Sequence, residues 1–544
     1  MDRTETRNTT ETAPAKKDMS VSRVVDYDII EGSKQAARRE HDLTIRQAVS
    51  RHRKAVLWAA FFCLPNLIIG YDPTIVSTLV GIPEFRKRFG YEYPAGSGTY
   101  VLEAAWTSAF TYAPVIGFLL ASVWGGWCVD RFGPRKTLLG ATTLSLGTLL
   151  IEVLGESAAV IFVGDLLTGL LTGSFPVLGP AYISEILPVS LRGIGLSCNN
   201  MAQVLGSLIG IGILRGTEDR MDKWAYKVPF ITEYAFPLMF IVGVILAPET
   251  PWFLAKKGRN EAAAKSLQRI GYAVGDEIDN TIAHMQETIL LEEELSKSTT
   301  YLDCFRGTNL RRTVICATAY SGQFFCGINI ASGYCTYFFE LAGVTTNQAF
   351  DLSCGLFALG VVGNMLAWPL MTYWGRRSAY LLTAALATMF MYLIGFLGIA
   401  PNSNTGAMYA KSVILLLFNF VYNIGLGPIV YVLIAELPST KIRGKTLGVA
   451  CFVPHIFSIS ITAGLPYAMS ATEANWGAKT GFLFGGLGTL TVIWAFFCLP
   501  ESKGRTFEEL DILFERKIPA RKFATTDLTD FDRSAIVDAK YVEA

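Results

Sequence analysis

The sequence has 544 residues, of which 51% are hydrophobic and only 17% are charged, with a mean hydropathy of +0.36 and a net charge of +1. A soluble domain has about a quarter of its residues charged, so this composition excludes an ordinary soluble protein. The net charge of +1 gives no indication of nucleic-acid binding, and no nucleic-acid partner is expected. The four His and ten Cys show no metal-ligand spacing, so no cofactor is expected.

The first predicted element is a polar cytosolic segment, residues 1–55, without a cleavable signal peptide. Apolar runs of about 18 residues or more then predict membrane-spanning helices. Twelve such runs follow, which we number helices 1 to 12: 56–79, 104–126, 137–155, 158–182, 193–214, 230–247, 313–341, 352–373, 378–399, 410–434, 443–468 and 479–499. Because the basic stretch 36–54 precedes helix 1, the positive-inside rule places both termini in the cytosol.

Two similar stretches mark an internal repeat. YISEILPVSLRG (182–193) follows helix 4, and VLIAELPSTKIRG (432–444) follows helix 10. GWCVDRFGPRK (126–136) precedes helix 3 as MTYWGRRS (371–378) precedes helix 9. The repeat predicts an all-α membrane protein with two pseudo-symmetric six-helix halves, 56–247 and 313–499, as in secondary transporters. A cytosolic linker with amphipathic helices, 248–312, would join them, and a cytosolic tail, 500–544, would follow.

Charged residues recur at the cytosolic helix ends of both halves. Opposite charges there can pair across the halves when the cytosolic side is closed and must separate when it opens. We therefore predict a cytosolic gate formed by Asp130, Arg131, Arg135, Glu185, Arg192, Arg376, Arg377, Glu436 and Arg443. The alternative is that these charges only fix the topology.

These repeated stretches, with PETPWFLAKKGRNEAA (248–263) and LPESKGRTFEEL (499–510), resemble the motifs of the sugar porter family of the major facilitator superfamily. The resemblance runs from about residue 56 to 523. GQFFCGINIASGYCTYFFELAG (322–343) and IPARKF (518–523) look most like the fungal α-glucoside, maltose-type, proton symporters. The resemblance implies the major facilitator fold, a sugar bound between the halves and, in many members, coupling to protons.

Sugar recognition needs amides for hydroxyl groups and aromatic faces for C–H surfaces. Six residues are predicted to bind substrate: Asn200, Gln203, Gln323, Asn329, Tyr431 and His455. The first two lie on one face of helix 5, and the next two lie on helix 7, which its glycines are predicted to break. The last two stand where the resemblance places tryptophans of hexose porters, so the cavity has room for a disaccharide. Each of the six could instead be a polar contact between helices.

Asp72 lies inside the apolar run of helix 1, in LIIGYDPTIV (67–76). The resemblance implies that this Asp is the protonation site and that a helix 4 Arg modulates it, but the Arg position here is Asp165. Each carboxylate lies seven residues, or ~10 Å, from the outer end of its helix. Two carboxylates at one depth in low dielectric cannot both be ionised cheaply. We therefore predict Asp72 and Asp165 as the proton-coupling residues.

The predicted function is import of a sugar, such as maltose, by proton symport with alternating access, by a protein that acts as a monomer in the plasma membrane. Losing the helix 4 Arg is also compatible with a facilitative hexose uniporter. A third alternative is a carrier of a polyol or a secondary metabolite. A sugar sensor would have a longer cytosolic tail than residues 500–544. The sequence contains no nucleotide-binding loop and no catalytic constellation, so no enzymatic activity is expected.

Overall fold

The computed structural model describes residues 45–526, apart from residues 94, 95, 97, 99, 273, 274, 276, 284, 287, 288, 290–299, 401–403, 440, 441, 470–472 and 506. Residues 1–44 of the predicted segment 1–55 and residues 527–544 of the predicted segment 500–544 therefore lie outside the described residues. The side chains of Asp130 and Arg443, two of the predicted gate residues, also lie outside them.

The first half contains helices 1 to 6. Their bounds are Arg53–Leu79, Ala104–Phe132, Pro134–Leu154, Ala158–Thr172 with Phe175–Ile186, Val189–Thr217 and Trp224–Leu246. Helix 1 is interrupted at Leu64 and Pro65, and helix 4 at Gly173 and Ser174. A short helix, Pro83–Phe89, and a two-residue hairpin, Tyr91–Glu92 with Tyr100–Val101, connect helices 1 and 2.

The second half contains helices 7 to 12. Their bounds are Gly307–Phe325 with Ile328–Gly333 and Cys335–Leu341, Thr346–Trp374, Arg376–Leu397, Thr405–Glu436, Arg443–Met469 and Thr480–Cys498. Helix 7 breaks at Gly327, where φ is 96°, and again after Gly333, as its sequence predicts. Helix 10 breaks at Gly425. These breaks leave backbone carbonyl groups free to contact side chains near the middle of the molecule.

The twelve-helix architecture is confirmed, and ten of the helices in the described residues are long and apolar enough to cross a membrane. Their outer faces carry exposed aliphatic side chains, such as Leu238, Val242 and Leu246 of helix 6. Such a surface is stable only against lipid, so the protein is a multi-pass membrane protein.

The loops after helices 2 and 8 are shorter than predicted. Helix 2 continues to Phe132 and helix 3 begins at Pro134, because Gly133 turns the chain within one residue at a φ of 90°. Gly375 makes the same turn between helices 8 and 9 at a φ of 91°. Helix 7 likewise begins at Gly307, inside the segment predicted as linker. The linker contains the helices Pro251–Lys256 and Asn260–Ile270, whose apolar sides are buried.

Matching contacts at these two turns support the internal repeat. Glu249, after helix 6, accepts a hydrogen bond from the backbone N–H of Arg135 at 3.2 Å. Glu501, after helix 12, accepts one from the backbone N–H of Arg376 at 2.8 Å. The next arginine, Arg377, donates to the carbonyl of Phe496 near the end of helix 12, as Arg135 does to Val244 near the end of helix 6. Each half therefore closes this end of its helices with one acidic and one basic cap.

Candidate substrate and coupling sites

The two halves meet along helices 1, 2 and 5 of the first and helices 7, 8, 10 and 11 of the second. Inside the first half, helices 1 and 5 cross with their backbones in contact at two glycines. A Cβ at Gly70 would lie 1.8 Å from the Gln203 carbonyl oxygen, and one at Gly206 would lie 2.0 Å from that of Leu67. This crossing fixes the side chains of helix 5 that face the second half.

Three buried asparagines join the halves at the centre. Asn200 of helix 5 donates to Oδ1 of Asn364 at 2.9 Å and to Oδ1 of Asn423 at 3.1 Å. Asn364 also donates to Asn423 Oδ1 at 3.1 Å. Asn364 and Asn423 belong to helices 8 and 10, and neither was predicted from the sequence. Amides in lipid would be costly, so this cluster indicates a polar centre between the halves.

Two further predicted residues also bridge toward helix 10. Gln203 Nε2 lies 3.2 Å from the Tyr431 hydroxyl. In helix 7, Gln323 accepts a hydrogen bond from the hydroxyl of Tyr422 at 2.8 Å and lies 3.4 Å from the carbonyl of Gly427. Four of the six predicted substrate-binding residues therefore lie on helix 10 or contact it: Asn200, Gln203, Gln323 and Tyr431.

The other two predicted residues contact helix 11 or lie on it. Asn329, after the break in helix 7, donates to Thr462 at 2.8 Å. His455 Nδ1 lies 2.5 Å from the carbonyl of Cys451 on its own helix. Its ring contacts Tyr320 of helix 7 and, across the halves, Phe118 of helix 2, with centroids 6.2 and 6.3 Å apart. The centre therefore offers both amides and aromatic faces, which is the chemistry that sugar binding requires.

Four buried carboxyl groups lie together in the first half. Asp72 of helix 1 and Asp165 of helix 4 are both buried and close enough to interact electrostatically. Glu152 of helix 3 and Glu233 of helix 6 join them, and one carboxylate oxygen from each of Asp72, Glu152 and Glu233 lies within 4.8 Å of the other two. All four side chains are at most 1% exposed.

No basic side chain within the described residues forms an ion pair with this cluster. Both carboxylate oxygens of Asp72, Asp165 and Glu233 have no hydrogen-bond partner there. Unpaired ionised carboxylates are very costly in a low-dielectric interior. The cluster must therefore bind positive charge, either protons or another cation.

Two residues of the predicted gate, Arg376 and Glu436, form an ion pair within the second half. Arg376 pairs with Glu436 at 3.0 Å, and Glu436 also accepts from Ser502 at 2.6 Å. Arg131 lies exposed over the ring of Trp127. A Cβ at Gly193, next to Arg192, would lie 3.8 Å from Arg376 Nη2, so the two halves approach each other closely here. Burial raises the pKa of Glu249, whose cap on Arg135 is described above.

At the opposite end, two ion pairs that the sequence did not predict join the halves. Arg86, after helix 1, contacts Glu340 of helix 7 at 2.7 Å. Arg215, in the last turn of helix 5, contacts Asp351 of helix 8 at 2.7 Å. Arg215 also contacts Glu218, and burial raises the pKa of Glu218 to about 7, against the opposing effect of Arg215.

Comparison with known proteins decides the family. A family profile described as "Sugar (and other) transporter" matches residues 58–514. The chain belongs to this family. The transporter is 33% identical over 509 residues to the maltose permease MAL61 of Saccharomyces cerevisiae, a match that covers 92% of this chain and 82% of that protein. It is 32% identical over 501 residues to the general alpha-glucoside permease of the same yeast, covering 91% and 80%.

The fold of the transporter matches solved structures of the major facilitator superfamily. The proton:xylose symporter XylE, bound to 6-bromo-6-deoxy-D-glucose, aligns with a TM-score of 0.71 at 21% identity, covering 86% of this chain and 100% of that chain. The inward-open form of XylE from E. coli aligns with a TM-score of 0.67 at 19% identity, covering 84% and 99%. At these identities the match establishes the fold of the transporter and nothing finer.

Proposed function

We propose that this transporter imports an α-glucoside, with maltose as the first candidate, together with a proton. The observation that carries the proposal is the buried carboxyl cluster around Asp72, which needs positive charge, beside a polar centre between the halves. The relatives named above are yeast permeases for maltose and α-glucosides, which supports this substrate class. Alternating access would expose the centre to each side of the membrane in turn.

The orientation of the protein in the membrane is also part of this proposal. The basic stretch 36–54 before helix 1 supports cytosolic termini, with helix 1 running outward and the ion pairs of Arg86 and Arg215 at the outer surface. The plasma membrane is the proposed location, and one chain is the proposed functional unit, with residues 1–55, 248–312 and 500–544 in the cytosol.

Radiolabelled uptake of a sugar panel in a transporter-null fungal strain tests the proposal, with and without a protonophore. Maltose should accumulate against its gradient, the protonophore should abolish accumulation, and an unbuffered medium should become alkaline. Uptake that stops at equal concentrations and never alkalinises the medium would identify a uniporter. Transport of a polyol or secondary metabolite alone would exclude the α-glucoside.

Gln323→Ala should weaken the apparent affinity for maltose by about tenfold or more, or about 1.4 kcal/mol, because a sugar hydrogen bond is lost. Gln323 is nearly buried and its carboxamide faces helix 10. The measurement is the KM of initial uptake. The matched control is Gln348→Ala, since Gln348 is exposed at the start of helix 8. Equal KM values for both variants would show that Gln323 is not in the sugar site.

Glu436→Gln should slow the transport cycle while leaving surface abundance unchanged, because the change weakens the ion pair with Arg376 beside the cytosolic contact between the halves. Net uptake should fall several-fold more than maltose exchange, since exchange needs no return of the empty carrier. The control is Glu473→Gln, an exposed position at the opposite end. Equal losses of net uptake in both variants would show that the charges at the cytosolic end do not form a gate and only set the topology.

A further inference from the structure

Glu152 is placed toward the carboxyl cluster by the direction of helix 3 and by a glycine of helix 4. Helix 3 runs outward and side chains tilt toward the N-terminus of their helix, so Glu152 near the outer end reaches back into the membrane. Gly164 leaves the space for it, because a Cβ there would lie 2.6 Å from Glu152 Cγ. An ordinary residue at position 164 would displace the carboxyl group. The site is therefore built around this side chain.

The hydroxyl group of Thr168 can serve both protonation states of Glu152. Its oxygen lies 2.6 Å from Glu152 Oε1 and 2.9 Å from the hydroxyl of Thr148, which in turn donates to the carbonyl of Ser145. When Glu152 is ionised, Thr168 donates to it. When Glu152 is protonated, it can donate to Thr168, which then donates to Thr148. A hydroxyl that serves both states suits a carboxyl group that changes its protonation.

The groups around Glu152 are acidic or neutral. Helix 1 presents Asp72 and Tyr71, whose hydroxyl donates to the carbonyl of Pro229, and helix 4 presents Asp165. Helix 6 presents Glu233 and Tyr234, whose hydroxyl donates to the carbonyl of Leu146 in helix 3. Glu152 Oε2, the oxygen not held by Thr168, has no hydrogen-bond partner among the described residues.

We propose that Glu152 is a second proton-carrying residue of this transporter and exchanges the coupling proton with Asp72. In this step the O–H bond of the Asp72 carboxyl breaks, and the proton binds the carboxylate of Glu152. Asp72 becomes the carboxylate, and the total charge of the cluster is unchanged. This proposal rests on the proton symport proposed above.

The first test uses the full-length transporter in liposomes, with maltose uptake driven by a pH gradient. Glu152→Gln should reduce accumulation by about fivefold or more, while equilibrium exchange stays within about twofold. The matched control is Glu156→Gln, four residues along the chain and exposed, which should behave like wild type. Equal accumulation by the two variants would overturn the role of Glu152. If the wild-type protein accumulates no sugar of the panel under a pH gradient, the proposed symport itself is wrong. That outcome is distinct from a failure of the Glu152 proposal, which is decided by comparing the two variants.

The pH optimum of uptake in Thr168→Val is the second test. A purely structural role of Glu152 would leave this optimum unchanged. The hydrogen bond that Thr168 donates to the ionised carboxylate is the stronger of its two, so removing it makes Glu152 hold its proton more tightly. The pH optimum of uptake should move upward by about half a unit or more, and Thr168→Ser should restore it. An unchanged optimum in Thr168→Val would overturn the proposal.

The third test detects the proton without any sugar. A hydrophobic carbodiimide reacts with protonated carboxyl groups in apolar surroundings, and mass spectrometry locates the adduct. At neutral pH the wild-type protein should be labelled at Glu152 and not at exposed Glu156. Equal labelling of the two would overturn the proposal. So would accumulation of maltose driven by a sodium or calcium gradient, because the three oxygens within 4.8 Å would then hold a metal ion.

Discussion

Asp72→Asn should abolish accumulation of maltose, so that the ratio of internal to external sugar falls to about one, the value without coupling. Asn is nearly isosteric with Asp, and Asp72 forms no hydrogen bond within the described residues that the change would break. The variant removes only the titratable charge, so exchange of maltose down its gradient should survive. The measurement is uptake of labelled maltose together with the pH of an unbuffered medium.

Two companion variants sharpen this prediction. Asp222→Asn is the control, because Asp222 is exposed at the outer end of the molecule, and it should accumulate maltose normally. Asp165→Asn removes a like charge that faces Asp72, so Asp72 ionises more readily and needs a lower pH to stay protonated. The pH optimum of uptake should then move to lower pH. Continued accumulation with alkalinisation by Asp72→Asn would show that another group carries the proton.

Gly206→Val should prevent the first half from assembling, with a loss of about tenfold or more in the amount of folded protein at the cell surface. A Cβ at this position would lie 2.0 Å from the carbonyl oxygen of Leu67, so even one added carbon collides with the backbone of helix 1. Neither helix can move away, because Gly70 makes the reciprocal contact with Gln203.

Gly212→Val on the same helix is the matched control. Nothing lies within 4 Å of a Cβ at Gly212, and the position is exposed on the outside of the helix. Surface labelling and gel filtration of the solubilised protein compare the two variants. If Gly206→Val is as abundant and as monodisperse as Gly212→Val, helices 1 and 5 do not cross at this glycine.

Much of the architecture could be predicted from the sequence. Hydrophobic length alone predicts the twelve helices, because every span must satisfy its own backbone in lipid. Counting residues along helices 1 and 4 was enough to predict that Asp72 and Asp165 lie at one depth. The bounds of helices 2 and 3 were wrong because one glycine, Gly133, replaces a loop.

Half of the carboxyl cluster, Glu152 and Glu233, was not predicted, although the sequence contains a signal for both residues. Glu152 and Glu233 each lie inside a predicted apolar run, in LLIEVL (149–154) and FITEYAF (230–236), just as Asp72 does. By contrast, Asn364 and Asn423 could not have been assigned to Asn200, because their meeting depends on how the two halves pack.

The outer ion pairs bear on the balance between the outward-open and outward-closed states. The side chains of Arg86 and Glu340 are 23% and 16% exposed, and such a partly hydrated pair is worth on the order of 1 kcal/mol. Because 1.4 kcal/mol corresponds to a factor of ten, this contact alone biases the two populations by less than about an order of magnitude. The empty carrier would then visit both states thermally, and the binding energy of one sugar molecule would be enough to redistribute them.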